Sequence, residues 1–341
     1  MVRHFIDLFD ITADEAATML DRAASLKSED RRHGARSPML AGRTLGLVFD
    51  KPSLRTRVSF EAAITQLGGN AIFLNGKDVG LGVRESVADF ARVISQYVDA
   101  LAVRTFSQTT IEELGRHATI PIINALSDAS HPCQALADLL TVLESLGELK
   151  GLKFVFVGDG NNVARSLAQA SAMFGVDFVL ACPPGYEYPA AFASKFAEAY
   201  PGVPLTIEND PSTAVTGADV IYTDVWASMG QEDEVDSRKT VFAPYRVDEG
   251  LLALAKPGAI FLHCLPARRG EEVTDEVLDG PQSRVVHQAA NRLHFQKALL
   301  VWLLHDNTTE GESVDALLNR FTDRASPQVG NGPTDRFEPE V

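Results

Sequence analysis

The sequence predicts an α/β protein with two doubly wound domains, each built on a mainly parallel sheet of four to five strands and linked by interdomain helices. Short apolar runs alternate with patterns of helical period through most of the 341 residues, as expected for βα units around parallel sheets. The length suffices for two full cores, and 45% apolar with 23% charged residues is ordinary for a globular protein. The runs that predict strands are 44–49, 71–75, 100–104, 120–125, 153–158, 177–182, 219–224 and 258–264.

These runs form two groups of four, separated by a helical pattern and a glycine-containing stretch. The helical pattern extends from about Pro132 to Leu146, and residues 147–151 follow it with a glycine at each end. Such a break between two sets of βα units indicates a hinge between domains. We therefore expect a first domain at residues 1–146 and a second at residues 147–287.

Helical patterns are also predicted near both ends of the chain. An amphipathic first helix starts at about Thr12, and a long pattern at 288–305 carries apolar residues suited to packing back onto the first domain. From 306 to 341 the composition becomes polar, with several glycines and prolines, which predicts a mobile tail. One short helix is expected within it, around Val314–Phe321.

Charge and cysteine content disfavour several classes of function. A net charge of −15 argues against nucleic acid or an anionic membrane as a partner. Cys133, Cys182 and Cys264 show no C-x-x-C spacing, which argues against a disulfide framework or a zinc knuckle and fits a reducing compartment. The first 20 residues contain neither the apolar core of a signal peptide nor an Arg-rich transit pattern. We therefore expect a cytoplasmic protein.

Residues 51–57, Lys-Pro-Ser-Leu-Arg-Thr-Arg, place two hydroxyls and two guanidiniums between a predicted strand and a predicted helix. Ser53 stands at the expected N-cap, where free backbone N–H groups and the positive end of the helix dipole attract an anion. Arg55 and Thr56 add donors, so the segment suits a phosphate. The alternative is a solvated helix start whose arginines pair with carboxylates such as Glu61, and a short motif does not decide between the two.

Four further polar residues have the chemistry to complete such a site. Arg104 ends a strand run, so it would emerge at the carboxyl edge of the sheet, where open α/β folds bind ligands. His131 and Gln134 open a helix, and a neutral imidazole and an amide can both address a carbonyl or amide group of a substrate. Arg292 lies near the start of the last long helix. The simpler interpretations are a capping His131 and an Arg292 on the helix surface.

Polar residues after strands of the second group suggest a site for a zwitterionic small molecule. The Gly-Asp-Gly-Asn-Asn turn resembles a dinucleotide turn, but Arg165 replaces the third small residue and a nicotinamide cofactor is therefore disfavoured. Asn162 can instead meet a carboxylate. Asp224 and Ser228 offer acceptors for an ammonium group, and the backbone near Met229 offers a donor. An ordinary loop in which Asp224 caps Ser228 is the alternative.

Cys264 follows the last apolar strand run and precedes a proline-limited turn. A lone cysteine is usually a packed small hydrophobic residue, but a strand end also fits a cleft. A nucleophilic Cys264 with His131 or His263 as its base is a further alternative.

In this order, these segments resemble the aspartate/ornithine carbamoyltransferase family over about residues 3–305. The resemblance implies an N-terminal carbamoyl-phosphate domain, a C-terminal amino-acid domain, and trimers with active sites near subunit boundaries, without a metal or other cofactor. It also implies transfer of the carbamoyl group of carbamoyl phosphate to the δ-amine of L-ornithine, which gives L-citrulline and phosphate.

The resemblance assigns a role to each matching residue. Carbamoyl phosphate would be held by Ser53, the Leu54 backbone, Arg55, Thr56, Arg104, His131, Gln134, Cys264, Leu265 and Arg292. The α-amino and α-carboxylate groups of ornithine would be held by Asn162, Asp224, Ser228 and Met229. The residues implied in catalysis are Thr56, Arg104 and His131, which would stabilise the oxyanion, and Cys264, which is usually assigned a proton-accepting role.

The chain departs from the usual family pattern at four positions. Leu54, Gly80, Arg268 and Ala290 stand where Thr, Gln, His and Glu are common. Because Gly80 has no side chain, we do not predict the phosphate contact that the glutamine makes.

Other acceptors and another class of protein remain as alternatives. Aspartate would require cationic groups around its second carboxylate, putrescine has no α-carboxylate, and an acylated ornithine would not need Asp224. A non-catalytic binding homologue is the alternative outside the enzymes. The presence of Arg55, Arg104, His131 and Cys264 argues against it.

Overall fold

Two parallel sheets form the framework of the computed structural model, which describes residues 2–33, 38–227, 232–305 and 313–325. The strands are β1 Thr44–Phe49, β2 Asn70–Asn75, β3 Ala100–Arg104, β4 Ile122–Leu126, β5 Lys153–Val157, β6 Asp177–Ala181, β7 Thr206–Glu208, β8 Val220–Thr223 and β9 Ile260–His263. The first sheet has the order β2-β1-β3-β4 and the second β7-β6-β5-β8-β9. All these pairs are parallel. The predicted fold class is therefore confirmed.

Helices connect the strands and cover both sheets. The α-helices are α1 Ala13–His33, α2 Leu54–Gln66, α3 Gly76–Val79, α4 Val87–Ile94, α5 Gln108–His117, α6 Pro132–Leu146, α7 Asn162–Phe174, α8 Ala190–Ala199, α9 Pro211–Val215, α10 Val235–Phe242, α11 Glu249–Leu252, α12 Asp275–Leu278, α13 Val285–Leu304 and α14 Val314–Ala325. Short 3-10 helices are Leu8–Asp10, Pro38–Leu40, Glu232–Glu234 and Ala243–Tyr245. Within the described ranges, no helix has both the length and the apolar composition needed to span a membrane.

The second sheet contains one strand that the sequence did not predict. β7 has three residues, two of them exposed, and lies at the edge of the sheet beside β6. A short edge strand lacks the apolar run that marks a buried strand. The second sheet therefore has five strands, where the apolar runs in the sequence predicted four.

The carboxyl ends of the strands position the polar residues singled out above. β3 ends at Arg104, β8 ends one residue before Asp224, and β9 ends one residue before Cys264. β1 leads through a short turn to α2, which has Ser53 at its N-cap. Since parallel strands all end at one edge, these residues collect at one end of each sheet.

Two helices join the sheets into a continuous core. α6 is buried over most of its length, and Gly147 ends it in the left-handed conformation at φ 81° that favours glycine. α13 contacts α1, α2 and α6 around the first sheet and β9 of the second. One cluster of buried side chains includes Leu45 of β1 and Phe154 of β5. The two sheets are therefore packed around shared helices.

α14 lies within the segment predicted to be a mobile tail. Leu317 is fully buried, the Val314 backbone N–H donates to Asp14 at 3.1 Å, and Arg320 forms an ion pair with Asp21. Packing against α1 does not fit a mobile tail at these residues, whereas the short helix predicted there is present. The rest of the predicted tail lies outside the described residues.

Candidate active site

A cavity of about 860 Å³ lies between the carboxyl ends of the two sheets. The predicted site residues that line it are Ser53, Leu54, Arg55, Thr56, Arg104, His131, Gln134, Asn162, Asp224, Cys264, Leu265 and Arg292. Ser228 and Met229, also predicted, lie outside the described residues. Residues scattered over 240 positions of sequence therefore meet around one cavity.

The start of α2 forms one wall of the cavity. Ser53 occupies the N-cap with extended backbone, and its hydroxyl makes no hydrogen bond to the helix. Arg57 pairs with Glu61 at 2.8 Å on the exposed side of the helix, as the solvated interpretation of this segment expects for one of its arginines. Arg55 and Thr56 instead line the cavity. At the start of α2, Arg57 is therefore directed to solvent, whereas Arg55 and Thr56 are directed to the cavity.

Arg104 extends this cationic wall from the end of β3. Its side chain is 7% exposed, and Nε is buried without a hydrogen-bond partner among the described residues. Burial lowers the pKa of Arg104 to about 10, and the positive charges of Arg292 and Arg55 add to the effect. A site with several partly desolvated cations favours a bound anion.

Arg292 reaches the same place from α13. It is 3% exposed, so the interpretation as a helix-surface arginine was wrong. Its guanidinium donates to Gln134 Oε1 and, at 2.9 Å, to Thr56 Oγ1. It also lies 3.4 Å from His131 Nε2. Packing of α13 against α2 and α6 brings these groups together.

His131 is the N-cap residue of α6, but its side chain makes no capping hydrogen bond. Burial lowers its pKa well below the usual value, and the charges of Arg292 and Arg104 lower it further. The ring is therefore neutral. Because Nε2 faces a guanidinium donor, we assign the ring proton to Nδ1, which is buried without a partner among the described residues.

Asp224 and Cys264 meet on the opposite wall. The Cys264 thiol donates to Asp224 Oδ1 at 3.1 Å, and Asn161 Nδ2 lies 3.4 Å from Asp224 Oδ2. Burial raises the pKa of Cys264 well above its usual value, and the Asp224 carboxylate raises it further. The thiol is therefore protonated, which argues against a nucleophilic thiolate.

His263 does not form the alternative Cys-His pair. Its Nδ1 accepts from the Leu265 backbone N–H at 2.9 Å, and its Nε2 lies 3.2 Å from Glu272 Oε1. Both ring nitrogens are thus engaged away from the cavity. Leu265 itself has φ 58°, a left-handed conformation that is strained for a branched side chain and that occurs at functional sites.

The glycine-containing turn after β5 builds the wall between Asp224 and the first sheet. Asn161 caps α7 through its side-chain oxygen, and Asn162 donates to the Ser127 carbonyl at 2.6 Å. A Cβ at Gly160 would lie 2.7 Å from backbone atoms of Glu187 and Tyr188. Close packing of two backbones therefore accounts for this glycine without a dinucleotide.

One group of side chains has the donor set for a metal ion. Ligand atoms of Asp224, His263 and Cys264 lie within 4.8 Å of one another. Both His263 nitrogens already have partners, however, and the Cys264 thiol is protonated. Metal binding would require these bonds to be replaced and the thiol to ionise. The expectation of a reaction without a metal or cofactor stays a prediction.

The structure also reveals polar residues behind the cavity that the sequence did not identify. Asp138 accepts from Gln134 Nε2 and Gln288 Nε2, both at 2.7 Å. Asp138 follows Gln134 by one helical turn, so the i, i+4 spacing was a usable signal. Arg238, which lines the cavity, pairs with Asp159 at 2.9 Å and has no comparable signal.

The matched family models cover both halves of the chain. Residues 3–144 match the carbamoyl-P binding domain of aspartate/ornithine carbamoyltransferase, and residues 150–303 match its Asp/Orn binding domain. The chain belongs to the aspartate/ornithine carbamoyltransferase family. The predicted family membership is thus confirmed.

Similar proteins within the family cover nearly the same length. An ornithine carbamoyltransferase of Acidothermus cellulolyticus is 53% identical over 306 residues, which are 89% of this chain and 97% of the relative. A relative from Pyrococcus furiosus, named as an anabolic ornithine carbamoyltransferase, is 50% identical over 89% of this chain and 96% of its own. The solved ornithine carbamoyltransferase of Pyrococcus furiosus has a TM-score of 0.85 and 48% identity, and covers 90% of this chain and 98% of the solved one.

Proposed function

We propose that this protein transfers the carbamoyl group of carbamoyl phosphate to the δ-amine of L-ornithine, giving L-citrulline and phosphate. The observation that carries the proposal is the pairing of two walls around one cavity. Arg55, Arg104 and Arg292 line the first wall, and Asp224 with Cys264 lines the second. A dianionic donor and a cationic acceptor are the substrates that such a pair of walls would bind.

The cationic wall is proposed to bind the phosphate. Ser53, the Leu54 backbone, Arg55 and Thr56 would donate from the start of α2, and Arg104 would add its guanidinium. An N-cap hydroxyl without an intrahelical bond and a buried Arg104 Nε without a partner, among the described residues, support this assignment.

The carbamoyl group is proposed to lie beside His131, Gln134 and Arg292, with Cys264 and Leu265 on the far side. As charge develops on the carbonyl oxygen, Thr56, Arg104 and the neutral His131 would stabilise it. Donors held in place before reaction need no reorganisation at the transition state. The hydrogen bonds that fix Arg292 against Thr56 and Gln134 support such preorganisation.

Ornithine is proposed to bind the second wall. Asp224 would accept from the α-ammonium group, and Asn162 would address the α-carboxylate through the part of its amide that Ser127 does not use. Ser228 and Met229 are proposed partners from outside the described residues.

In the proposed reaction, the nitrogen of a neutral δ-amine forms a bond to the carbonyl carbon, and the bond from that carbon to the phosphate oxygen breaks. One amine proton ends on the released phosphate. Before attack, the δ-ammonium must lose a proton. Because the Cys264 thiol is already protonated, it would take this proton only while passing its own proton to Asp224 Oδ1, to which it donates.

We also propose the wider setting of the enzyme. Residues 1–146 would form the carbamoyl-phosphate domain, with residues 288–305 packed onto it, and residues 147–287 the ornithine domain. The family models, which match 3–144 and 150–303, support a boundary between the domains at 145–149. We further propose a cytoplasmic trimer that works in arginine biosynthesis. The unpaired Cys133, Cys182 and Cys264 support the reducing compartment, and the anabolic relative supports the role in biosynthesis.

The acceptor is tested by comparing rates with L-ornithine, L-aspartate, putrescine and N-acetyl-L-ornithine at fixed carbamoyl phosphate. We expect L-ornithine to give the highest kcat/KM, because Asp224 suits a free α-ammonium group. A higher kcat/KM with any of the other three acceptors would reject the assignment. Loss of the acceptor preference in Asp224→Asn, with the KM for carbamoyl phosphate unchanged, would locate the preference in the second wall.

A further inference from the structure

Asp138 is a buried carboxylate that the proposed reaction does not use. It lies on α6, one turn after Gln134, and is 0% exposed. Its Oδ1 accepts from Gln134 Nε2 and from Gln288 Nε2 of α13, both at 2.7 Å. A buried amide that loses its hydrogen-bond acceptor incurs a desolvation cost. The carboxylate therefore fixes both glutamines.

On the donor side, Asp138 determines which end of the Gln134 amide faces the cavity. With Nε2 bound to the carboxylate, Oε1 faces the Arg292 guanidinium and accepts from it. Arg292 donates in turn to Thr56 Oγ1 at 2.9 Å. A turned Gln134 amide would present N–H groups to the guanidinium and displace it.

On the acceptor side, the second glutamine reaches the strand ends of the other sheet. Gln288 Oε1 accepts from the backbone N–H of His263 at 2.9 Å, directly before Cys264. Gln288 Nε2 also lies 3.2 Å from Tyr222 Oη, two residues before Asp224. One chain of hydrogen bonds thus connects the residues behind both walls of the cavity.

The role does not depend on the charge of the carboxyl group. Burial raises the pKa of Asp138 to about 7, and Gln134, Gln288, Tyr222 and the charge of Arg292 lower it in part. A protonated carboxyl group keeps an acceptor oxygen. An asparagine at this position can offer the same oxygen, whereas an apolar side chain cannot.

We propose that Asp138 is a positioning residue that couples the two substrate sites. It orients Gln134 and, through it, Arg292, and it holds Gln288 against the strand end that carries Cys264. The inference rests on the proposed carbamoyl transfer and extends it to a residue that touches neither substrate.

Two substitutions distinguish the effect of the hydrogen-bond acceptor at position 138 from the effect of side-chain shape. Asp138→Asn keeps an acceptor oxygen, and we expect it to retain kcat within about threefold. Asp138→Leu keeps the branched shape without the acceptor. We expect it to lower kcat about 10- to 100-fold, because small misplacements of reacting groups cost up to about 10²-fold. The KM for carbamoyl phosphate should change by less than about threefold, since Ser53, Arg55 and Arg104, which would hold the phosphate, are not changed.

Thr141→Val is the matched control. Thr141 is buried on the same helix, and its hydroxyl accepts from Asn291 of α13 at 2.9 Å. The control removes a buried α6–α13 hydrogen bond without touching Gln134 or Gln288, so kcat should stay within about twofold. Unchanged kcat in a folded Asp138→Leu variant overturns the proposal. An equal loss of kcat in Thr141→Val also overturns it, because general packing would then be the cause.

A double variant tests whether Asp138 acts through Gln134. Adding Asp138→Leu to Gln134→Met should lower kcat by less than about threefold beyond the worse single variant, because both changes disable one link. If the fold-loss of kcat in the double variant equals the product of the two single losses, Asp138 does not act through Gln134. If Asp138→Leu does not fold, Gln288→Met replaces it, since this change removes one donor and leaves the carboxylate in place. A kcat equal to wild type in Gln288→Met then overturns the proposal.

The proposed function is tested separately in the same assays. All variants are compared with wild type using whichever of the four acceptors the wild-type enzyme carbamoylates. A higher kcat/KM with an acceptor other than L-ornithine rejects the proposed function, while the kcat ratios among the Asp138 variants still decide the positioning role.

Discussion

At the scale of single residues, three cationic side chains give the donor side of the cavity its character. Burial lowers the pKa of Arg104, and the charges of Arg292 and Arg55 lower it further. Like charges repel in a partly desolvated site, so a dianionic phosphate would relieve the repulsion among Arg55, Arg104 and Arg292. The reduced repulsion among the three guanidiniums would contribute to the free energy of carbamoyl-phosphate binding.

Replacing Arg104 with alanine tests this interpretation. We expect kcat for citrulline formation to fall by about 10²–10³-fold, as when one oxyanion donor is removed. Arg57→Ala is the matched control, because Arg57 lies near the site but pairs with Glu61 on the exposed face of α2. Steady-state kinetics measure both variants. Arg104→Ala with the turnover of wild type would contradict the assignment.

Asp224→Asn tests the acceptor wall. The substitution keeps the size of the side chain but removes the charge that would meet the α-ammonium group. Hydrogen bonds to charged groups contribute about 1.5–3 kcal/mol, so the KM for L-ornithine should rise about 10- to 100-fold. The KM for carbamoyl phosphate in the same assays is the internal control. A selective rise in that value instead would place Asp224 on the donor side.

Strand ends and helix starts made many of the site residues predictable. Ser53, Arg104 and His131 lie at such positions, and the strand and helix boundaries predicted from the sequence already place them at the ligand-binding edge of the sheet. Arg292 and Asp138 differ, because their environment depends on packing between helices distant in sequence. Gln288 reaches Asp138 across 150 positions, and no local pattern carries that information.

At the scale of elements, a buried hydrogen bond and a buried ion pair hold α13 to the first domain. Lys27 of α1 donates to Glu144 of α6 at 2.7 Å and to Asn291 of α13 at 2.6 Å. Lys297 of α13 pairs with Asp30 of α1 at 2.7 Å. Because Arg292 lies on α13, these contacts also help to fix the active-site guanidinium.

Lys27→Met should therefore destabilise the protein strongly. Removing one partner of a buried ion pair typically costs about 3–5 kcal/mol, since the other charge is left uncompensated. Urea unfolding measures the change. Lys256→Met is the control, because the Lys256–Asp219 pair is about half exposed on the lysine side and should contribute about 1 kcal/mol or less. Equal losses in the two variants would contradict the account.

Glu144 predicts acid sensitivity at the same junction. Burial raises its pKa, but hydrogen bonds from His287, Lys27 and Asn291 outweigh burial and bring it from 4.5 to about 2. A carboxyl group with a lowered folded-state pKa stabilises the fold fully above its unfolded value, and the contribution is lost as pH falls through the folded value. The free energy of unfolding should therefore decline from pH 4.5 toward about 2, and decline less in Glu144→Gln. Urea unfolding measures both proteins. If the free energies of unfolding of wild type and Glu144→Gln decline equally as pH falls, Glu144 is not the cause.

Element prediction succeeded where the apolar pattern is strong and failed where it is weak. β1, β3 and β5 are buried runs and were found nearly to the residue. β7 was missed because a short edge strand contributes little buried surface. Packing of α14 against α1 was also missed, because the polar composition around it masks two buried side chains, Leu317 and Phe321.

At the scale of the whole molecule, the first domain exposes large apolar side chains. Leu54 is 75% exposed, Val58 52%, Ile72 47% and Val83 88%. Exposed apolar side chains close together in one region often mark an interface. These residues fall on α2, on β2 beside it, and on the segment that follows α3, and Leu54 also lines the cavity. They support the proposed trimer, with subunit contacts near the active sites.

Sedimentation should therefore find three chains of 36.9 kDa, or a multiple of three, in one particle. Val83→Asp should shift the assembly toward monomers, because a charge would be buried at the interface. Leu254→Asp is the control, since Leu254 is 43% exposed on the second domain and should leave the trimer intact. A monomeric wild-type protein would contradict the proposal. The trimer was predicted from the family resemblance alone. No pattern within the chain indicated it, because symmetry between copies leaves little trace in one sequence.

The most direct test of the proposed reaction follows the carbonyl carbon of carbamoyl phosphate. The purified protein is given L-ornithine and carbamoyl phosphate labelled with a heavy isotope at that carbon, and the products are identified by nuclear magnetic resonance. We expect the label to appear in L-citrulline with one phosphate released per citrulline. Phosphate release without labelled citrulline, or label in a different acceptor, would contradict it.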